Sequence, residues 1–589
     1  MAVKLKEVDA VVIGMGWAGA ILARELTLTG LSVVGLERGP DRRPAQDFAL
    51  PSIRDELKYQ QRLELMSDNS IDTITFRNRP DQLALPIRRW GAFLPGEGVG
   101  GTGNHWSALH WRFLPDDFRL RTNLGERYGA QSIPATMTIQ DWPVTYSELE
   151  PYYDRFDKIC GVSGRAGNLK GRKIEGGNPF EGVRSDEYPN KPVASSEGGL
   201  MFGAAAKGLG YHPFPAPFSA PSSAYKNLYG VTMGACEACG FCDRTACEAN
   251  AKASAVTAIM PALRQESKFE LRTRVFASKL LYDKSAKRVT GVLYTDLKTG
   301  TEYEQPANLV VLSAFVFGNT HMLLHSGIGQ PYDHPTGNGV VGKNYCYQFE
   351  AGAAALFPDK ELNPYMGSPG GALVVDEFNG PNFDHTGLGF FGGGYLLAVS
   401  GGATPNSVRF VPPGTPSWGS QWKRETVKWY YHSVRFNTQG SVYAHRDNYM
   451  DFDPVYKDAL GRPLLRLTYN APDNEHAMSR YLLSRLEGII KAMGPAHYEL
   501  RPRPKNFSIV PYQSTHNTGG TIMGSNSRNS VVNRYLQAWD AHNLFVMGAS
   551  TYPQQPGYNP TGTLGALALW SAEKIRTDYL KNPGPLVHA

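Results

Sequence analysis

The sequence predicts an α/β chain of two or more domains. Three observations lead there. At 589 residues the chain exceeds one simple core, because single domains usually run about 100–200 residues. Its first forty residues alternate strand, glycine turn, helix and strand patterns. Far downstream, WYYHSVRFNTQGSVYAHRD alternates aromatic and polar residues, the period-2 pattern of strands.

The first element is VDAVVI, Val8 to Ile13, a short apolar strand. It leads into GMGWAG, where Gly14, Gly16 and Gly19 keep G-x-G-x-x-G spacing. AILARELTLTG then has helical periodicity, with Gly30 as its expected C-cap. LSVVGLE is a second strand ending in Glu37. Together these form a dinucleotide-binding fingerprint in its required context. The glycines permit a tight turn and close approach of backbone to pyrophosphate. The helix N-terminus offers N–H groups to the phosphates. Glu37 is placed for the adenosine ribose hydroxyls. An acidic residue there argues against a 2′-phosphate but does not separate NAD from FAD. GEGVGGTGNHWSALHWRF, Gly96 to Phe113, is a second glycine-rich loop, which suggests a long cofactor touched at two places. LVVLSAFVF, Leu309 to Phe317, reads as buried strand.

Composition narrows the function classes. Hydrophobic residues at 41% and charged residues at 19% fit a globular chain. A net charge of +6 with no long Lys/Arg run gives nucleic acid binding no support. No apolar run approaches the ~18 residues that span a bilayer. The start of the chain has no signal-peptide pattern. By itself that favours the cytoplasm, without excluding export on a partner that carries the signal.

Four of six cysteines, Cys236, Cys239, Cys242 and Cys247, fall within twelve residues. Cys160 and Cys346 stand alone and read as packing residues. Disulfides within the cluster would close strained small loops. Zinc usually takes two separated ligand pairs. C-x2-C-x2-C is spacing that wraps an iron–sulfur cluster, although the Pro that follows the last cysteine in ferredoxins is absent. An iron–sulfur cluster leads; zinc and free thiols stay open.

Several segments resemble the glucose–methanol–choline (GMC) oxidoreductase family. Gly98, Gly100 and Gly101 match its G-x-G-x-G-G flavin loop. VVLSAFVFGNTHMLLHSGIG resembles its second signature, with Phe315 to Phe317 and His321 departing from it. VVGKNYCYQ resembles its G-x-N segment without the usual Asp-His. STHNTGGTIMG resembles the catalytic-histidine segment, and LFVMGASTYPQQPGYNPTGTLGALALWSAEKI the C-terminal flavin segment. The resemblance implies FAD as cofactor and a Rossmann-like FAD domain, discontinuous in sequence. An inserted antiparallel β-sheet plus helices would form the substrate domain. The implied segments are 1–150, 231–345 and 506–589 for FAD, and 151–230 and 346–505 for substrate.

The resemblance also implies roles. His516 would take the hydroxyl proton of an alcohol, a task suited to imidazole. Asn559 would align that hydroxyl, since Asn cannot act as a base. Asn104, Val275, Gly548 and Pro560 join the implied cofactor set. VGGTGNHW resembles a loop that binds flavin covalently through histidine, which marks His105 for a histidyl–FAD bond or for packing beside the ring. The cysteine run with its flanking KAS resembles flavin-bearing large subunits of the gluconate 2-dehydrogenase type. Some of that group carry a 3Fe-4S or 4Fe-4S cluster. The implied substrate is a sugar, sugar acid or glycoside oxidised at a secondary alcohol. The implied partners are a small subunit bearing an export signal and a cytochrome c acceptor, which would place the chain in the periplasm. A flavin oxidase using oxygen is the alternative. Asp376, Glu377, Asn379 and His385 lie in a glycine-rich stretch that could reach a polyol.

Overall fold

The computed structural model describes residues 2–49, 62–403 and 410–588. Its larger sheet has eight strands among the described residues. β1 (Val8–Ile13), α1 (Trp17–Thr27) and β2 (Val33–Glu37) follow the expected pattern. β3 (Phe269–Thr273) pairs in parallel with β2. β4 (Val275–Asp283), β5 (Arg288–Asp296) and β6 (Glu302–Leu312) form an antiparallel meander. The last of these returns to lie parallel to β1, with Val310 opposite Val11. Its other edge takes the strand Leu544–Val546, also in parallel. Segments more than 500 residues apart therefore share one sheet. The central parallel strands, β1, β2, Leu309–Leu312 of β6 and Leu544–Val546, are largely buried on both faces, which explains their continuous Val/Leu/Ile runs.

The LVVLSAFVF run is not one strand. The strand ends at Leu312, and α2 (Phe315–Ser326) begins three residues on. Ser313 Oγ donates to the Ile13 and Gly14 carbonyls at 2.8 Å and turns the chain. Asn319 Oδ1 then accepts from the Ala314 N–H at the helix start. Pattern alone does not separate a buried strand from a buried helix start.

The second sheet has six strands among the described residues, all antiparallel. Its central members are β7 (Phe349–Leu356), β8 (Gly394–Val399) and β9 (Ser433–Gly440). Side chains alternate across such a sheet. Val434 and Phe436 pack with Leu482 and Leu486 of α3 (Asp473–Ala492). Their neighbours Arg435, Asn437 and Gln439 face the other way, into a cavity. The expected boundary at 150/151 falls inside the helix Tyr146–Cys160. Its capping box at Thr145 and left-handed Gly161 define one continuous unit. Cys160 and Cys346 are fully buried, as packing residues are.

Candidate active site

One cavity of about 430 Å³ runs from the N-terminal glycine loop to the inner face of the second sheet. Gly14, Gly16, Glu37, Gly98, Gly101, Val275, Gly548 and Pro560 line it, together with His516 and Asn559. Residues from six separate stretches of sequence thus meet around one space. Gly19, Gly100, Asn104 and His105 do not line it.

The glycine loop fits a bound dinucleotide. A Cβ at Gly19 would lie 1.9 Å from the Gly14 carbonyl, so this glycine serves the close turn. A Cβ at Gly16 or Gly548 would meet nothing within 4 Å and would project into the open cradle. Glu37 Oε2 accepts from Met15 N–H and Oε1 from Gly39 N–H, both at 2.9 Å. The carboxylate is thereby held at the cavity edge. Asn104 Nδ2 donates to the Val99 carbonyl at 2.8 Å, so it braces the second loop from behind.

His516 sits between Ser514, whose Oγ accepts its N–H, and the short strand Asn517–Thr518. That strand pairs with Cys346–Tyr347. Asn559 lies just before the helix Thr561–Lys574, which Pro560 caps. The two side chains meet, with Asn559 Nδ2 3.3 Å from His516 Nε2. Burial pushes the imidazole pKa down to about 3, so the ring is neutral at ordinary pH. A neutral imidazole beside an amide can hold an alcohol and take its proton.

His105 is buried, and burial pushes its pKa down to about 3. Its Nε2 has no hydrogen-bond partner among the described residues. Its carbonyl accepts from Arg244 N–H at 2.7 Å, which joins it to the cysteine loop. Lys252 strengthens that junction. The buried ammonium donates to the carbonyls of Trp106, Cys242 and Thr245 at 2.6–2.9 Å.

Cys242 borders the cavity and is buried, whereas Cys239 is exposed and Cys236 and Cys247 are half-buried. The thiols lie within electrostatic reach, and burial with neighbouring thiolates raises those of Cys236, Cys239 and Cys242. Among the described residues, however, no three His, Cys, Asp or Glu side chains converge to hold a metal ion. The expectation of a ready-made iron–sulfur site is not met by this arrangement.

The four polar residues expected near a polyol belong elsewhere. Asp376 is buried and bonded to Tyr558, Asn178 and Asn379. His385 bonds the Gly392 carbonyl, and Glu377 bonds His212. None lines the cavity. Its polar wall is instead Glu350, Arg435, Asn437 and Gln439, which sequence reading missed. The alternation in RFNTQ marks a strand but does not say which of its faces meets a cavity.

A cofactor cradle opening onto a half-buried imidazole beside a buried amide defines a nucleotide-dependent oxidoreductase of alcohols. Comparison with known proteins gives the family. GMC oxidoreductase models match residues 227–350 and 444–568. A gluconate 2-dehydrogenase flavoprotein from Pantoea cypripedii is 46% identical over 100% of this chain and 97% of its own. The fructose dehydrogenase large subunit of Gluconobacter japonicus is 26% identical over 97% of this chain and 98% of its own. A pyridoxine 4-oxidase from Mesorbium loti superposes with a TM-score of 0.58, at 15% identity, over 97% of this chain and 99% of its own. That last likeness concerns the fold alone. The chain belongs to the GMC oxidoreductase family, flavoproteins that bind FAD and act on CH–OH groups.

Proposed function

We propose that this protein is an FAD-dependent dehydrogenase that oxidises a secondary alcohol of a sugar acid. One observation carries the substrate class. The wall that faces His516 and Asn559 bears the guanidinium of Arg435, half-exposed to the cavity. Among the described residues its one hydrogen bond runs from Nη2 to the Gly401 carbonyl at 2.7 Å. Arg244 lines the same cavity and pairs with Asp243 at 3.2 Å. Arg435 and Arg244 face Asp243 and Glu350, but burial raises the Glu350 pKa to about 7 and weakens its negative charge, so the wall still favours an anionic ligand, and a guanidinium suits a carboxylate. Glu350 and Asn437 supply groups for hydroxyls. The gluconate enzyme named above supports the reading.

FAD, when bound, supplies the hydride acceptor. Gly14, Gly16, Glu37, Gly98, Gly101, Val275, Gly548 and Pro560 would hold it. Asn559 orients the substrate hydroxyl, and His516 takes its proton. We propose a covalent attachment at His105, whose unpartnered Nε2 lies behind the cavity lining and would have to turn into it; flavin retained in acid-precipitated protein is the expected result. The cysteine loop, stapled to His105 and Trp106, is the proposed place where electrons leave. Among the described residues Cys236, Cys239, Cys242 and Cys247 do not converge as a metal site, so no step is routed through a cluster. A small subunit completes the reading, supported by the relative named a large subunit; a cytochrome c acceptor and a periplasmic site are proposed with it on the resemblance alone.

Dye reduction across gluconate, 2-ketogluconate, sorbitol, glucose and glycosides tests the function. Sugar acids are expected to be turned over best. His516→Ala is expected to lower kcat about 10²–10⁴-fold with flavin retained. Near-normal turnover in that variant would overturn the reading.

A further inference from the structure

His516 belongs to a ring of hydrogen-bonded side chains. Gln439 Nε2 lies 3.0 Å from His516 Nδ1 and 2.7 Å from Gln348 Oε1. Gln348 Nε2 in turn lies 2.8 Å from the Gly557 carbonyl. The directions of these bonds follow from the backbone end. A carbonyl only accepts, so Gln348 must turn its amide nitrogen to Gly557. Its oxygen then faces Gln439, which must present Nε2. An amide nitrogen has two hydrogens and no lone pair to offer. One hydrogen serves Gln348; the other points at His516 Nδ1, which must accept. A neutral imidazole that accepts at Nδ1 carries its proton on Nε2. The deduction starts from a main-chain atom, so no single side-chain amide orientation is assumed.

Tyr395 closes the ring. Its hydroxyl touches Gln439 Oε1 and lies 2.8 Å from the Asn559 side chain. It has one proton, which Gln439 Oε1 requires. The phenol oxygen is then left to accept from Asn559. With the Asn559 amide turned so that Nδ2 meets Tyr395, its oxygen meets His516 Nε2–H across 3.3 Å. Every donor in the ring then finds an acceptor. The opposite sense of the ring sets two amide oxygens, of Gln439 and Gln348, against each other.

We propose that Gln439 is a positioning residue which, held by Gln348 and the Gly557 carbonyl, sets the resting tautomer of His516 to Nε2–H. In that state the nitrogen beside Asn559 is a donor that grips the alcohol oxygen. The base is the other tautomer. It is reached when Gln439 turns its oxygen to Nδ1–H and gives up Gln348. Gln348 therefore tunes how readily the base forms.

The significance rests on His516 being the reacting imidazole, but the test does not depend on turnover. Side-chain ¹⁵N spectra of the flavin-loaded protein report the tautomer, with His516→Gln assigning the signal. The wild type is expected to show protonated Nε2 and bare Nδ1. Protonated Nδ1 in the resting enzyme would overturn the proposal. Gln348→Leu and Gln439→Leu are expected to populate both tautomers. A spectrum unchanged in both variants would also overturn it. Loss of turnover in His516→Ala, by contrast, bears only on the function. A folding failure in either Leu variant leaves the wild-type spectrum decisive.

Discussion

His516 faces the cavity, yet burial holds its pKa down to about 3. No carboxylate partner raises it, so kcat/KM is expected to show no acid limb from this ring between about pH 5 and 8. A limb near the ordinary histidine value of about 6.5 that disappears in His516→Gln would contradict the burial argument. Arg435 argues from the same physics with opposite charge. Burial, then the nearby Arg244, pushes its pKa down to about 10, which still leaves it charged. Such a partly desolvated cation gains from an anionic ligand. Arg435→Met is expected to raise KM for a sugar acid about 10–100-fold, the loss of a charged hydrogen bond of about 1.5–3 kcal/mol. Arg435→Lys is expected to recover part of it, and a neutral polyol to notice little. His516 and Asn559 were legible as site candidates through resemblance. Arg435 was not, because an arginine in a strand looks the same whether it meets solvent or a cavity.

The elements place these residues. β9 presents Arg435, Asn437 and Gln439 on one face because Val434 and Phe436 are claimed by the helix behind. A one-residue slip would exchange the two sets, so the packed face fixes the wall. The cysteine loop has no strand or helix from Ala235 to Ser254 and depends on Lys252 instead. Lys252→Met leaves three carbonyls without their charged donor. It is expected to destabilise the enzyme by ~3 kcal/mol or more, read as a lower urea midpoint, with protease cleavage first in this loop. The strands and α1 near the N-terminus were legible because their period and glycine signals coincide. The break after Leu312 was not, since Ser313 makes it through contacts with Ile13 and Gly14, 300 and 299 residues away.

The whole molecule buries many ionisable groups, and their pKa values set its pH response. Burial lowers His516 and His105 to about 3 and His321 to about 4. Their contribution to stability is complete above about pH 6.5 and is lost as pH falls. Burial raises Asp117 to about 8 and Glu350, Asp376 and Glu475 to about 7. Their contribution is complete below about pH 4 and is lost as pH rises through 7–8. Between these limits the two sets oppose each other. Above about pH 6.5 only the carboxyls still change, so the thermal midpoint is expected to fall from pH 6.5 to 8.5. Glu475 lies outside the cavity wall and accepts Tyr443 N–H at 2.9 Å, a bond that Gln can keep. Glu475→Gln is expected to flatten part of that fall. An equal slope in the variant would remove Glu475 from the account.

The sequence by itself determined the nucleotide-binding unit. Strand, glycine turn, helix and acidic residue lie within thirty residues from Val8 to Glu37, and short-range sterics dictate their conformation. It also determined which cysteines lie together and which histidine to suspect. Tertiary structure alone decided what faces the substrate. Glu350, Gln439, His516 and Asn559 are brought together from four stretches by two sheets and their packed helices. It moved Asp376 and His385 into structural bonds and put His105 and Asn104 behind the cavity wall. It also tied the tautomer of His516 to a carbonyl 41 residues further along the chain, through Gln439 and Gln348. Side-chain direction and burial depend on contacts made across hundreds of residues, and local pattern carries no record of them.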